Sequence, residues 1–349
     1  MTRRQLIAAA AGSAPAWLSR RAEAQAKPRL GLGGAPSGFP QQTRALHAAN
    51  PQADFIDLCH FLGLNGTETR LTSTDADAIR KLREKAEAYD LRLILDVPLP
   101  RDENDVERFD AAVKAAKDAG AVSLHAAMTQ RRYEQFDAFD AFKRSFENNQ
   151  RTVALAEPVL RKHRLRLGIE NHKGWRAAEQ AAWLKRLSSE WVGVHFDFGN
   201  NISLCEDPEE TFAILGPLAV ACHIKDMAVE PYEDGFLLSE VPLGEGILDL
   251  KRWVETLRRR DPAIPFDLET ITRDPLKIPV FTKKYWATFD DSYSPLPGRD
   301  LARVLEIVHK NPPKKPLPHT TGLSPDQQTK LEEANNNQSI EWARQNLGL

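Results

Sequence analysis

The feature that most constrains this fold is a regular alternation of short apolar runs with longer segments of helical periodicity. The amphipathic stretches between the apolar runs, such as 75–89, 105–119 and 137–163, predict helices. Eight alternations in a chain of 349 residues favour a closed (β/α)8 barrel. The predicted strands are 29–33, 55–60, 92–97, 122–127, 165–170, 192–198, 220–225 and 265–269.

The alternative fold is a doubly wound open sheet. Such a sheet commonly carries a G-x-G-x-x-G turn after its first strand, but Gly31, Gly33 and Gly34 do not have that spacing. The barrel therefore remains the preferred fold.

The last four predicted strands each direct a chemically active side chain towards the barrel axis. Successive strand residues point to opposite faces, so Gly168 and Glu170 share one face while Leu167 and Ile169 share the other. Active sites of such barrels lie at the carboxyl ends of the strands. The inward side chains at those ends are Glu170, Asp197, His223 and Glu269.

Three carboxylates gathered beside one imidazole at a barrel mouth repel one another unless a cation lies between them. An oxygen-rich set with one nitrogen suits one divalent ion, Mn²⁺ above all, with Mg²⁺, Co²⁺, Fe²⁺ or Zn²⁺ as alternatives. Successive positions are separated by 27, 26 and 46 residues, which correspond to one β/α repeat, a second repeat, and a repeat with an insertion. This spacing is what ligands on successive strands require.

Five motifs give the chain a family resemblance. They resemble the sugar phosphate isomerase/epimerase family of xylose-isomerase-like TIM barrels, over about residues 28–310. The resemblance implies that Glu170, Asp197, His223 and Glu269 bind the metal, with the two glutamates flanking the reacting carbons. The motifs are ENHKG at 170–174, HFDFGN at 195–200, HIKD at 223–226, GEG at 244–246 and DLE at 267–269.

This ligand set predicts proton abstraction next to a carbonyl group. A cation that chelates a carbonyl oxygen and the neighbouring hydroxyl acidifies the C–H bond between them, because its charge stabilises the developing enediolate. Glu170 and Glu269 are the predicted base and acid, and proton return decides between epimerisation and isomerisation. We therefore predict a divalent-metal-dependent sugar or keto-sugar isomerase or epimerase.

Three alternative functions start from the same residues. A keto-glycoside lyase or dehydratase would use the same abstraction and then expel a β-substituent. An exported sugar-binding protein without catalysis would lack a ligand or the second glutamate, and neither is missing here. An endonuclease-like phosphodiesterase would gather several metals and more histidines than this chain offers at its predicted strand ends.

Further residues are predicted to contact substrate. His172 and Lys225 share strand faces with Glu170 and His223, while His60 and His125 end predicted strands. Many epimerase-type relatives carry histidine at the position of Asn200, so a simple ketose epimerase is not favoured. The full predicted set is His172, Lys225, His60, His125, Asn200, Trp175, Tyr285 and Trp286.

The segment 272–299 after the eighth predicted strand is too long for an ordinary connection, which takes about 2–6 residues. It is rich in aromatic residues, among them Tyr285 and Trp286, which argues against solvated coil. We expect an extended loop that forms a pocket wall or lid, with an oligomer contact as the alternative.

The chain divides into three predicted regions. Residues 1–26 resemble a twin-arginine export signal, with Arg3-Arg4 before a modest apolar run and A-x-A sites before Lys27, and a basic amphipathic N-terminus is the alternative. We therefore expect an exported, periplasmic protein. Residues 27–310 form the predicted barrel, and 311–349 a Pro-rich linker with a C-terminal helix.

Composition and charge restrict the classes of molecule that this protein is expected to bind. A net charge of −2 without a basic stripe argues against nucleic acid, and no run beyond the leader approaches the ~20 apolar residues that span a bilayer. We expect a small carbohydrate as substrate and allow for a homo-oligomer.

Overall fold

The computed structural model describes residues 31–290 and 293–349, and its centre is a closed barrel of eight parallel strands. The strands follow the spatial order β1-β10-β7-β6-β5-β4-β3-β2. This confirms the predicted (β/α)8 barrel. The barrel strands are β1 (Leu32–Gly34), β2 (Gly66–Arg70), β3 (Arg92–Asp96), β4 (Ala121–Ala126), β5 (Leu167–Glu170), β6 (Val192–Asp197), β7 (Ala219–Ile224) and β10 (Phe266–Leu268).

Helices connect and surround the strands. None of the helices within residues 31–290 and 293–349 has the length and apolar character needed to cross a membrane. The helices are α1 (Pro40–Ala49), α2 (Phe55–Phe61), α3 (Ala76–Ala88), α4 (Val106–Asp118), α5 (Arg132–Gln135), α6 (Phe139–His163), α7 (Ala177–Leu187), α8 (Pro208–Leu215), α9 (Leu250–Arg260), α10 (Lys283–Trp286), α11 (Gly298–Lys310) and α12 (Pro325–Leu347).

Strand register brings the carboxyl ends of the strands to one face of the barrel. Glu170 on β5 is paired with His195 on β6, and Asp197 on β6 with His223 on β7. Because the strands are parallel, residues at their ends gather around one mouth, although they are far apart in sequence.

The second predicted strand is wrong. Phe55–Phe61 forms helix α2, and the barrel strand is Gly66–Arg70. The Asp54 carboxylate accepts hydrogen bonds from the backbone N–H groups of Ile56 and Asp57, while the Asp57 side chain accepts from the Asp54 N–H. This capping box begins a helix, and the apolar run that suggested a strand is the buried face of α2.

The insertion between β7 and β10 contributes two strands to a second, antiparallel sheet, and the segment after β10 contributes the third. Strands β8 (Asp226–Tyr232) and β9 (Gly235–Val241) form a hairpin, and β11 (Leu276–Ile278) pairs with β9. The spacing of the predicted ligands indicated an insertion here but not its structure. The hairpin begins at Asp226, the residue after Lys225, so it starts at the mouth of the barrel.

The C-terminal helix α12 packs against the barrel. The buried Glu332 carboxylate accepts hydrogen bonds from the backbone N–H groups of Gln41 and Gln42 in the first turn of α1. The amide of Asn336 donates to the carbonyl of Gly38 at 2.8 Å. Helix α12 is therefore hydrogen-bonded to the segment that connects β1 and α1. A domain boundary at residue 310 stays a prediction.

The predicted export signal lies outside the described residues, which begin at Gly31. Export and a periplasmic location therefore stay predictions.

Candidate active site

The four predicted ligands come from four adjacent strands. Glu269 follows β10, His223 is on β7, Asp197 ends β6 and Glu170 ends β5, in that spatial order. All four side chains are buried. The two glutamates therefore lie at the two ends of an arc, with the aspartate and histidine between them.

The middle of this arc has donor atoms suited to a metal ion. Glu170, Asp197 and His223 each offer one ligand atom, and these atoms lie within 4.8 Å of one another. Asp197 Oδ1 and His223 Nδ1 are buried and have no hydrogen-bond partner among the described residues. Since a buried polar atom without a partner costs about 1–3 kcal/mol, these two atoms fit the ligands of a cation.

Lys225 supplies positive charge inside the mouth. Its ammonium group is buried and lies 2.7 Å from Asp197 Oδ2 and 2.7 Å from Glu269 Oε2. These carboxylates, together with Glu240 at 4.0 Å, raise the pKa of Lys225 against the effect of burial. The predicted substrate-binding lysine therefore lies among the ligands and neutralises part of their charge.

The surroundings of both glutamates favour the ionised carboxylate. Burial raises the pKa of Glu170, but His172 and His125 outweigh burial and hold it well below its usual value. Burial also raises the pKa of Glu269, and Lys225 and His223 together lower it below its usual value. Each side chain is therefore held in the unprotonated form that a general base requires.

The pKa values of the two middle ligands, Asp197 and His223, are raised, in contrast to those of the glutamates. Burial raises the pKa of Asp197 well above its usual value, and the attraction of Lys225 offsets this only partly. Burial lowers the pKa of His223, but Glu269 and Glu68 raise it to about 10. Without a metal, the site therefore favours a proton on His223, which a bound cation would have to displace.

Sequence reasoning missed Glu68, which is buried on β2 and contacts His223. Its Oε2 lies 2.9 Å from His223 Nε2, and its Oε1 lies 3.6 Å from His125 Nδ1. A carboxylate on the far nitrogen of a ligating imidazole fixes the ring orientation and tautomer. The error in the second strand concealed this residue, because a strand at 66–70 would have pointed Glu68 to the axis.

Two further histidines lie beside Glu68 and His223. His125 on β4 places Nδ1 2.8 Å from Asp96 Oδ1 and Nε2 3.1 Å from Glu170 Oε2. His195 on β6 is fully buried, and its ring centre lies 4.1 Å from that of His223. This buried Glu/His/His/His cluster could hold a metal ion, because its donor atoms also lie within 4.8 Å of one another.

Two sequence motifs have structural roles beside the ligands. Asn171 accepts a hydrogen bond from the backbone N–H of Asp197 and donates to its carbonyl, which positions the end of β6. Asp226 accepts backbone hydrogen bonds from Gly244, Gly246 and Leu248. The HIKD and GEG motifs therefore interact, because Asp226 of the first motif stabilises the turn formed by the second.

Several predicted substrate residues lie close to the ligands. The Asn200 amide donates to Glu170 Oε1 at 3.3 Å and to Asp197 Oδ2. His172 follows β5 and places Nδ1 2.8 Å from the Thr129 carbonyl. Burial lowers the pKa of His172, and the attraction of Glu170 offsets this only partly. Asn200 therefore supports two ligands directly, while substrate contact by either residue stays a prediction.

His60 does not end a barrel strand. It lies on α2, where its ring stacks on Tyr89 with 4.0 Å between ring centres. Because α2 is part of the helical layer, the structure gives no support to substrate contact by His60. The reason is the capping box that makes this segment helical.

The predicted aromatic contacts lie in packed regions. Trp175 is buried between Phe146 and Trp183, with ring centres 5.2 and 5.1 Å away. Tyr285 is fully buried, and its hydroxyl donates to the Ser203 carbonyl at 2.9 Å. Trp286 donates from Nε1 to the Val280 carbonyl at 2.7 Å. These contacts support packing roles and give no support to the prediction that the three rings contact substrate.

A cavity of about 390 Å³ opens beside His125 at the carboxyl ends of β2, β3 and β4. Its polar lining consists of Arg70, Asp96, His125 and Asn149, and its apolar lining of residues 97–99 and 126–128. His125 lines this cavity and also contacts Glu170, so the cavity adjoins the ligand arc.

Comparison with known proteins assigns the chain to a family. A family described as "Xylose isomerase-like TIM barrel" matches residues 54–287, so the chain belongs to that family. Comparison with curated proteins found no match.

Solved structures share the fold at low sequence identity. A xylose isomerase-like TIM barrel protein from Mycobacterium smegmatis in complex with magnesium is 14% identical, with a TM-score of 0.52 over 80% of this chain and 98% of that chain. A xylose isomerase domain protein from Alicyclobacillus acidocaldarius is 17% identical, with a TM-score of 0.52 over 80% and 99%. A D-psicose 3-epimerase solved in the presence of D-fructose is 15% identical, with a TM-score of 0.51 over 84% and 93%.

Proposed function

We propose that this protein is a divalent-metal-dependent enzyme that isomerises or epimerises a sugar or keto-sugar. The observation that carries this proposal is the arc in which Glu170 and Glu269 flank Asp197 and His223. The similarity to a D-psicose 3-epimerase, a sugar epimerase, agrees with this assignment. An exported location, expected from residues 1–26, belongs to the same proposal.

A bound divalent cation would stabilise negative charge that develops on substrate oxygens. Glu170 and Glu269 would exchange a proton with the substrate carbon, since their surroundings favour the ionised form and they lie at opposite ends of the arc. Each is oriented by two hydrogen bonds, with Asn200 and His125 on Glu170, and Ser37 and Lys225 on Glu269. These hydrogen bonds fix the position of both carboxylates.

The proposal is tested by solvent-deuterium incorporation into a panel of keto-sugars and 3-keto-glycosides with Mn²⁺-loaded protein. We expect exchange in the wild type and a loss of about 10²–10⁴-fold in Glu170→Gln and in Glu269→Gln, because an amide does not accept the proton. Metal content is measured in the same samples, which separates lost catalysis from lost binding.

Glu157→Gln is the matched control, because Glu157 is a buried glutamate on α6 that bonds Arg161 and Ser189 outside the barrel. Exchange that stays near the wild-type rate in Glu170→Gln or Glu269→Gln would contradict the assigned bases. Release of a β-substituent in place of an isomeric sugar would assign the protein to the lyases.

A further inference from the structure

The cluster of Glu68, His125, His195 and His223 lies inside the barrel beside the ligand arc. Glu68, His125 and His195 come from the alternate strands β2, β4 and β6, and alternate strands contribute side chains to shared interior layers. All four side chains are buried, and His223 belongs both to this cluster and to the arc.

His195 is the unusual member of this cluster. Its side chain is fully buried, and neither Nδ1 nor Nε2 has a hydrogen-bond partner among the described residues. Burying an imidazole without a partner costs free energy that a phenyl or aliphatic side chain would not cost. One His195 nitrogen lies within 4.8 Å of the donor atoms of the other three residues, so the ring faces the cluster.

We propose that Glu68, His125, His195 and His223 form a second divalent-ion site, distinct from the carboxylate-rich arc and selective for ions of the Zn²⁺ and Co²⁺ class. Three imidazoles and one carboxylate are donors that Zn²⁺ and Co²⁺ bind in proteins, whereas Mg²⁺ prefers oxygen. The inner site therefore differs from the arc in the ion that it prefers.

The distances between the four donor atoms are close to those found around a bound zinc ion. Zinc bonds to nitrogen and oxygen of about 2.0–2.2 Å place tetrahedral donor atoms about 3.3–3.6 Å apart. The four donor atoms are separated by up to 4.8 Å, so side-chain movements of about 1 Å close the site.

His223 couples the two sites, because its two nitrogens face different partners. Nε2 lies 2.9 Å from Glu68, and Nδ1 lies 3.6 Å from Glu269. A neutral imidazole has one nitrogen with a free lone pair and one that carries the proton. His223 therefore serves the inner ion or the arc ion, and each ion weakens the binding of the other by the same factor.

The experiment titrates the metal-stripped full chain with Co²⁺ and with Zn²⁺. In the wild type we expect the intense visible absorption of four-coordinate Co²⁺ and one tightly bound Zn²⁺ per chain. His195→Asn should lose the intense absorption and bind Zn²⁺ at least about tenfold more weakly, since it removes a ligand. Asp197→Asn, which changes only the arc, should keep both signals.

His163→Asn is the matched control, because His163 is a histidine on α6 that bonds Asp110 outside the barrel. Unchanged Co²⁺ absorption and Zn²⁺ affinity in His195→Asn would overturn the inner site. If that variant does not fold, X-ray absorption of the wild-type Zn²⁺ form decides: three imidazoles on zinc support the site, and one imidazole overturns it. Loss of deuterium exchange is measured separately, so failure of the proposed catalysis leaves this result unaffected.

Discussion

The two halves of the barrel mouth differ in packing and charge. The half formed by β5, β6, β7 and β10 carries buried ionised groups that bond one another, as Lys225 does with Asp197 and Glu269. The half formed by β1, β2, β3 and β4 adjoins, at the ends of β2, β3 and β4, the cavity of about 390 Å³, where Arg70 is exposed. The closed half therefore holds charges in fixed positions, while the open half gives access from solvent.

This difference separates two requirements of an enzyme site. Buried charges interact strongly because water does not screen them, and their positions are fixed by hydrogen bonds. A substrate requires an accessible surface with both polar and apolar groups, which the cavity supplies. His125 connects the two halves through its contacts with Asp96 and Glu170.

The largest effect is expected from Lys225→Met in metal-free protein. The substitution leaves Asp197 and Glu269 as buried carboxylates without their shared cation, so the free energy of unfolding should fall by about 3–5 kcal/mol. Added Mn²⁺ should restore stability more in the variant than in the wild type, because it supplies the missing charge. Urea unfolding with and without Mn²⁺ measures both effects.

The control is Lys162→Met, which removes an exposed ion pair with Asp110 on the helical layer and should cost about 0–1 kcal/mol. Equal losses in the two variants would contradict the proposed difference between the closed half and the surface.

An intermediate effect is expected from pH. The raised pKa of His223, about 10 against its usual 6.5, means that the metal-free folded state binds this proton more tightly than the unfolded chain. The resulting stabilisation is fully present below about pH 6.5 and is lost as the pH rises through about 10. The stability difference between wild type and His223→Gln should therefore shrink across this window.

Urea unfolding of both stripped proteins between pH 6 and pH 10.5 measures this difference. A difference that grows with rising pH would show that His223 is neutral in the folded protein, against the effect of Glu269 and Glu68 on its pKa.

The smallest effect on stability is expected from Arg70→Ala in the open half. Arg70 is exposed at the cavity, so the free energy of unfolding should change by about 0.5 kcal/mol or less. If the cavity receives substrate, KM should rise while metal content and kcat stay the same. A fall in kcat with unchanged KM would contradict a binding role for this half.

The sequence by itself determined the barrel and the arc. Strand alternation is a local property, so the inward direction of Glu170, Asp197 and His223 is readable from neighbouring residues. Their regular spacing then placed them on adjacent strands. The same reasoning failed at Phe55–Phe61, where an apolar run suits a buried helix as well as a strand and only the Asp54–Asp57 capping box distinguishes them.

Tertiary structure decided which of these groups interact. Glu68 and His223 are 155 residues apart, and Lys225 and Glu269 are 44 residues apart, so no local pattern indicates either contact. Barrel closure fixes the strand neighbours and removes water from between the charges. Because electrostatic interactions strengthen when water is excluded, the protonation of these groups depends on the complete fold.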